Sequence, residues 1–284
     1  MVGMAIHKIV RSAAAALVLL ASQSAANAQV DRAVAEDLMR KSGLWAQIAS
    51  IAPGFEAEFI SAAAKARTPI AADEQGRLVK VIATAYAPAH LRSVALAVIA
   101  DGLKPQEATE VAQWYLSPLG NSIARMEEAS SADNGNSEAK LREGMGLFSK
   151  SSADRQAMLK QLVQVTHSPE AGAQMVVDTT LAIQQGLAAA QPSLPGPSPA
   201  EVRATLEKQR PQLLQGFAGM TAVLFARTYA KLSDDELQQY IAFLSGAAGA
   251  RYTELGMDGL QQALRDGALE FGRGLPGARA RANP

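Results

Sequence analysis

The chain contains no cysteine. Disulfides, thiolate catalysis, Cys-based metal sites and a lipid anchor on an N-terminal cysteine are therefore excluded. Aromatic residues make up 5% of the sequence, and no stretch alternates strictly between polar and apolar side chains, so sheet signals are missing. Charge of one sign is missing too, with 27 Lys and Arg against 27 Asp and Glu. Nucleic acid would require a clearly basic face, and this balance offers none. Gly-x-Ser-x-Gly, His-Glu-x-x-His and a glycine-rich phosphate loop are all absent.

What is present begins with an address. Residues Met1–Arg11 carry Lys8, Arg11 and no acid, Ser12–Ala21 is a short apolar run, and Ala26-Asn27-Ala28 offers small residues for a peptidase. That order predicts a signal peptide over residues 1–28, cleaved after Ala28, and hence a periplasmic protein. A membrane-spanning helix needs about 18 apolar residues, which this run does not reach. No transmembrane segment is expected after signal removal. Without residues 1–28 the remaining 256 residues hold 25 basic and 27 acidic side chains, enough chain for a substantial core.

Ala, Leu, Gln, Glu, Arg and Met dominate, and apolar residues recur at three- and four-residue steps. Ala108, Val111, Tyr115, Leu119, Ile123 and Met126 form one such stripe; Leu237, Ile241, Leu244, Ala248, Tyr252 and Leu255 form another. These patterns predict an all-α protein, a bundle-like helical array. Leu213–Ala226 is the most apolar stretch and reads as a core helix. Prolines at 53, 69, 88, 105, 118, 169 and 211 should each start, end or kink a helix.

An internal repeat appears when the chain is slid by 129 residues. Leu103–Glu107 then falls on Leu232–Glu236, and Trp114–Gly120 on Phe243–Gly249, without a gap. Two related multi-helix units are expected: residues 29–130 and 152–266, with a linker and second-unit start at 131–151. A Pro-rich loop at 191–199 interrupts the second, and a disordered tail is expected at 267–284. The shared motif reads as helix capping. Glu107 and Glu236 meet the positive end of a helix dipole, and Ser233 with Glu236 forms a capping box. Ser117 caps a helix that Pro118 opens. Gly120 and Gly249 leave room for a neighbour to approach where a Cβ would stand.

The pattern of Leu, polar or Pro cap, Glu-Leu, aromatic pair and Ser-Pro-x-Gly resembles the bacterial exported family catalogued as domain of unknown function 2059. The residues that carry it are Leu103–Gly120 and Tyr229–Gly249. The first has Ala108 for the usual Leu, and the second replaces Ser-Pro by Gly246-Ala247. The resemblance implies a helical exported protein and no particular reaction.

Candidates for chemistry are few. His90 lies beside a proline break near Tyr86, and no acid stands within ten residues of it. His167 reads as the junction between two helices. Glu127-Glu128 and Asp234-Asp235-Glu236 fit solvated faces or helix starts. With no ligand-spaced cluster, neither a metal nor another cofactor is expected. Trp45, Trp114, Phe217, Phe225 and Phe243 read as core or as the lining of a groove between the two units. Tyr86, His90, Trp114, Tyr115 and Phe243 are the candidate groove or partner contacts. The expected function is a non-catalytic binding or interaction module of the cell envelope, for an unknown envelope protein or a small apolar ligand. The alternatives are a hydrolase-like enzyme using His90 or His167, and a membrane- or stress-associated structural factor.

Overall fold

A computed structural model of the chain describes residues 29–65, 70–133, 137–193 and 196–279. The predicted signal peptide lies outside the described residues. Every regular element among the described residues is an α-helix, as the composition requires.

The first half contains α1 (Arg32–Lys41), α2 (Leu44–Ala49), α3 (Ile51–Lys65), α4 (Ala72–Ala85), α5 (Pro88–Gly102), α6 (Pro105–Leu116) and α7 (Pro118–Ala132). Local chemistry sets their ends. The Asp31 carboxylate accepts from the Ala33 N–H at 2.8 Å, and Arg40 and Lys41 close α1 where its dipole is negative. Pro88, Pro105 and Pro118 each occupy the first residue of a helix, where the missing N–H costs nothing. The stretch Ala72–Gly102 is apolar and long enough by composition to cross a membrane. It is broken at Tyr86-Ala87, and its Leu91, Ala95 and Ile99 are wholly buried in the protein core.

The second half contains α8 (Ser137–Lys150), α9 (Ala153–Val165), α10 (Ser168–Ala190), α11 (Pro199–Thr228), α12 (Asp234–Ser245) and α13 (Ala247–Arg279). Most of the segment read as a linker at 131–151 is thus helical, since Ser137–Lys150 forms α8. The Pro-rich loop ends one residue early, because Pro199 opens α11 behind a Ser198–Glu201 capping box. The Leu213–Ala226 stretch lies within α11, whose buried residues are Ala222 and Ala226 alone. It covers α8 and α10 from outside and is not a core helix.

The tail read as disordered from residue 267 is helical to Arg279. Its glycines are contact points, not breaks. A Cβ on Gly272 would stand 2.2 Å from the Ile183 carbonyl oxygen, and one on Gly186 would stand 2.1 Å from that of Leu269. The backbones of α10 and α13 therefore meet where neither side has a side chain. Burial of Ala268, at 0% exposure, offsets the poor helix propensity of these glycines.

The core ignores the boundary between the two expected units. Leu38, Met39, Leu91, Ile99 and Val111 pack in one cluster with Tyr252, Leu255, Ala263 and Leu264 of α13. A second cluster joins Ile123 of α7 to Leu159, Leu162, Leu237, Tyr240 and Leu244. Trp114 and Phe243 touch both clusters.

Candidate functional site

Where the two clusters meet, the chain leaves a cavity of about 310 Å³. Its wall takes Ser42 and Gln47 from the first helices, Tyr115 from α6 and Glu127 from α7; Phe225, Tyr229, Tyr240 and Tyr252 come from the second half. Four of the five tyrosines of the chain therefore line one space.

Glu127 is there because of helical spacing. It follows the fully buried Ile123 by four residues and Ala124 by three, so it shares their inward face. Its carboxylate Oε1 accepts from the Tyr229 hydroxyl at 2.6 Å and from the Tyr240 hydroxyl at 2.7 Å. The Gln47 side chain is a further hydrogen-bonding neighbour. No ion pair involves Glu127 among the described residues, and no Lys, Arg or His lines the cavity. Burial raises the carboxyl above its ordinary range, and the bonds from Tyr229, Tyr240 and Gln47 oppose that rise. Its sequence neighbour Glu128 differs, pairing with Arg125 at 3.4 Å. The reading of both acids as solvated holds for neither in full. Glu127 faces the cavity, and Glu128 is partly covered.

The tyrosines stay protonated. Burial pushes the hydroxyls of Tyr115, Tyr229, Tyr240 and Tyr252 well above the ordinary phenol range, and the Glu127 charge adds to it. They are therefore donors, not nucleophiles. Ser42 Oγ and Tyr252 Oη lie 2.8 Å apart. The Arg155 guanidinium fastens the wall from behind, donating to the Tyr229 carbonyl at 2.8 Å and pairing with Asp234 at 2.5 Å.

The five contact residues expected from the sequence part company. Tyr115 lines the cavity, and Trp114 and Phe243 stack behind it at 4.5 Å between centroids. Tyr86 is buried elsewhere, edge-on to Phe55 at 4.8 Å, with its hydroxyl pushed up to about 12 by burial. His90 is exposed on α5. Trp45 does not line the cavity; it is partly buried against the first core cluster, with the Arg40 and Arg92 guanidinium groups 4.2 and 4.6 Å from its ring. Phe217 packs against Gly172 on the outer layer.

His167 edges an adjoining open groove of about 740 Å³ that also holds Glu170, Glu254 and Asp258 and shares Thr166, Thr253 and Met257 with the cavity. Among the described residues no hydrogen bond or ion pair joins its ring to these acids. No three His, Asp or Glu side chains converge among the described residues in a way that could hold a metal ion.

The motif residues form the frame behind the cavity. Glu107 accepts from the Lys104 N–H at 2.9 Å, and Glu236 from the Ser233 N–H at 2.8 Å. Ser117 Oγ accepts from the Gly120 N–H at 3.1 Å, capping the helix that Pro118 opens. Gly246 stands in the place of Ser117 with nearly the same backbone angles, φ −75° and ψ 155° against −67° and 153°. A Cβ on Gly120 would meet the Trp114 carbonyl oxygen at 2.1 Å, and one on Gly249 would meet that of Phe243 at 2.1 Å. The close neighbour at each glycine is thus the end of the preceding helix, folded back at the bend.

In comparisons with known proteins, the chain matches no family model, no curated protein and no solved structure.

Proposed function

We propose that this chain is an exported, non-catalytic binding module of the periplasm that holds a small ligand in the cavity around Glu127. One observation carries the reading: a carboxylate bound by two tyrosine hydroxyls stands at the wall of a 310 Å³ space between the two cores. Buried charge is costly, and a packed apolar contact of the same size would stabilise more. A space of this volume falls at the small end of ligand pockets, about 300–1,000 Å³, and combines aromatic walls with few polar groups. The tyrosines are locked as neutral donors and His90 and His167 lie outside, so the wall offers recognition groups and no nucleophile–base pair.

The matching bends at Ser117–Gly120 and Gly246–Gly249 support reading the chain as two divergent copies of one helical unit. The cavity then lies where the copies meet. Export rests on the order of residues 1–28.

Native mass spectrometry of protein recovered from an osmotic-shock fraction tests both parts. The expected result is a chain starting at Gln29 that carries a small-molecule adduct, with the adduct lost in Tyr240→Ala. A chain that keeps Met1 in the membrane fraction overturns export. An adduct that survives Tyr240→Ala, or a bare chain under gentle conditions, overturns the cavity as the binding site.

A further inference from the structure

We infer that the cavity takes a small organic cation, an amine or alkylated ammonium, with Glu127 as its counter-charge and the aromatic rings as its walls. The inference rests on the binding reading above and names the class of ligand.

Charge is the first argument. Glu127 is the sole ionisable acid or base on the wall apart from the phenols, which stay neutral. An anion entering there would face a carboxylate with no cation beside it, and like charges repel. A cation would meet the opposite charge that the fold itself does not supply.

The second argument concerns hydrogen bonds. Most hydroxyls around the wall are already joined to one another or to Glu127, those of Tyr115, Ser131 and Thr253 excepted. Ser42 pairs with Tyr252 at 2.8 Å, Ser130 with Thr228 at 3.1 Å, and Thr166 with Ser168 at 2.6 Å. Tyr229 and Tyr240 spend theirs on Glu127. A neutral polyol that sought more than the Tyr115, Ser131 and Thr253 hydroxyls would have to break these pairs. An alkylated cation needs none of them, because its attraction to carboxylate and ring is electrostatic.

The rings supply the third argument. Tyr229 and Tyr240 stand at 63° to each other with centroids 5.7 Å apart, and Phe225 stands at 51° to Tyr229 at 5.5 Å. Trp114 stacks on one face of Tyr240 at 6.2 Å, and the inclined rings beside it make an aromatic wall that is not a single plane. A cation within about 6 Å of a ring centroid is attracted to the face, and more strongly once water is excluded. Alkyl groups on the cation bury against the same rings. Apolar substituents and positive charge are thus accommodated together.

The test is a calorimetric and NMR titration of the purified chain with choline and with 3,3-dimethylbutan-1-ol, which has the same shape but no charge. Choline is expected to bind at least about tenfold more tightly than the alcohol, a ratio in keeping with a desolvated cation–carboxylate contact. Its affinity should fall as pH is lowered, because protonation removes the counter-charge. Glu127→Gln keeps the shape and should erase both the preference and the pH dependence. Equal binding of the two probes overturns the cation inference and leaves the cavity reading standing. Failure of both probes to shift any cavity resonance overturns the inference, whereas the adduct experiment judges the cavity reading separately. If Glu127→Gln does not fold, the two probes on the unaltered chain still decide, since that comparison needs no variant.

Discussion

Trp114 and Phe243 lie face to face, with ring centroids 4.5 Å apart and planes 5° from parallel, although 129 residues separate them in the chain. Each is the aromatic residue three positions before a bend of the same geometry. The two bends therefore meet through equivalent side chains, and the stack holds the two cores together just behind Tyr115.

The stack should be measurable as a coupling. Trp114→Ala and Phe243→Ala each remove area from both cores. A double-mutant cycle by urea unfolding should return a coupling of about 0.5–1.5 kcal/mol beyond the single losses. Additive losses would show that the rings merely fill space side by side.

The bends make a sharper prediction. Alanine is a better helix former than glycine by about 1 kcal/mol, so Gly→Ala in an unobstructed helix should stabilise. At Gly120 and Gly249 the new Cβ would lie 2.1 Å from a backbone carbonyl, which has no rotamer to escape into. Gly120→Ala and Gly249→Ala should each cost about 1–3 kcal/mol in urea melts. A rise in stability at both positions would refute the close approach.

The capping half of this arrangement was legible from residues alone, because Ser-Pro and Ser-x-x-Glu signals act through local hydrogen bonds. Helix class, Pro-led starts and the bend positions follow in the same way. The tail was misread because Gly and Pro content signals flexibility in isolation, whereas Gly186 and Gly272 show it serving helix contact 86 residues apart. Glu127, read as an acid of a solvated face or helix start, was missed, though a signal for it was present. An acid at 127 within the stripe Ile123, Ala124 and Met126 breaks helical amphipathicity, and that break marks the inward carboxylate. The partners were not legible, since Tyr229 and Tyr240 reach Glu127 across more than 100 residues and nothing local points to them.

Glu127 should leave a signature in stability against pH. Burial raises its folded-state pKa, so the folded chain retains a proton that the unfolded chain has released. The stability this gives is complete below the unfolded value, about 4.3, and is lost as pH rises through the raised folded value. Relative to Glu127→Gln, the unaltered chain should therefore lose stability from pH 4 toward neutrality. Urea melts of both chains from pH 4 to 8 measure the difference. A constant gap across that range would contradict burial as the cause.

His167 carries a backbone cost. Its φ of +48° lies in the left-handed region, and it is the one non-glycine residue so placed among the described residues. That conformation costs about 1–2 kcal/mol with a side chain, and glycine's greater freedom in the unfolded state takes back part of the relief. His167→Gly should raise stability by up to about 1 kcal/mol in thermal melts. A clear drop would mean that the imidazole makes contacts worth more than the strain, and would bring its groove back into consideration.

The position of α13 in the chain has a consequence for how the protein is made. Ala248, Tyr252, Leu255, Ala263 and Leu264 complete a core whose other buried members lie between Val30 and Ala124. The ribosome delivers this helix after all the others described. Until then the earlier helices lack the surface that seals them, and stable compaction waits for long-range contacts. A polypeptide destined for threading through a translocation pore, as proposed for this one, must stay loose until it has been threaded. Here the order of the helices supplies a delay.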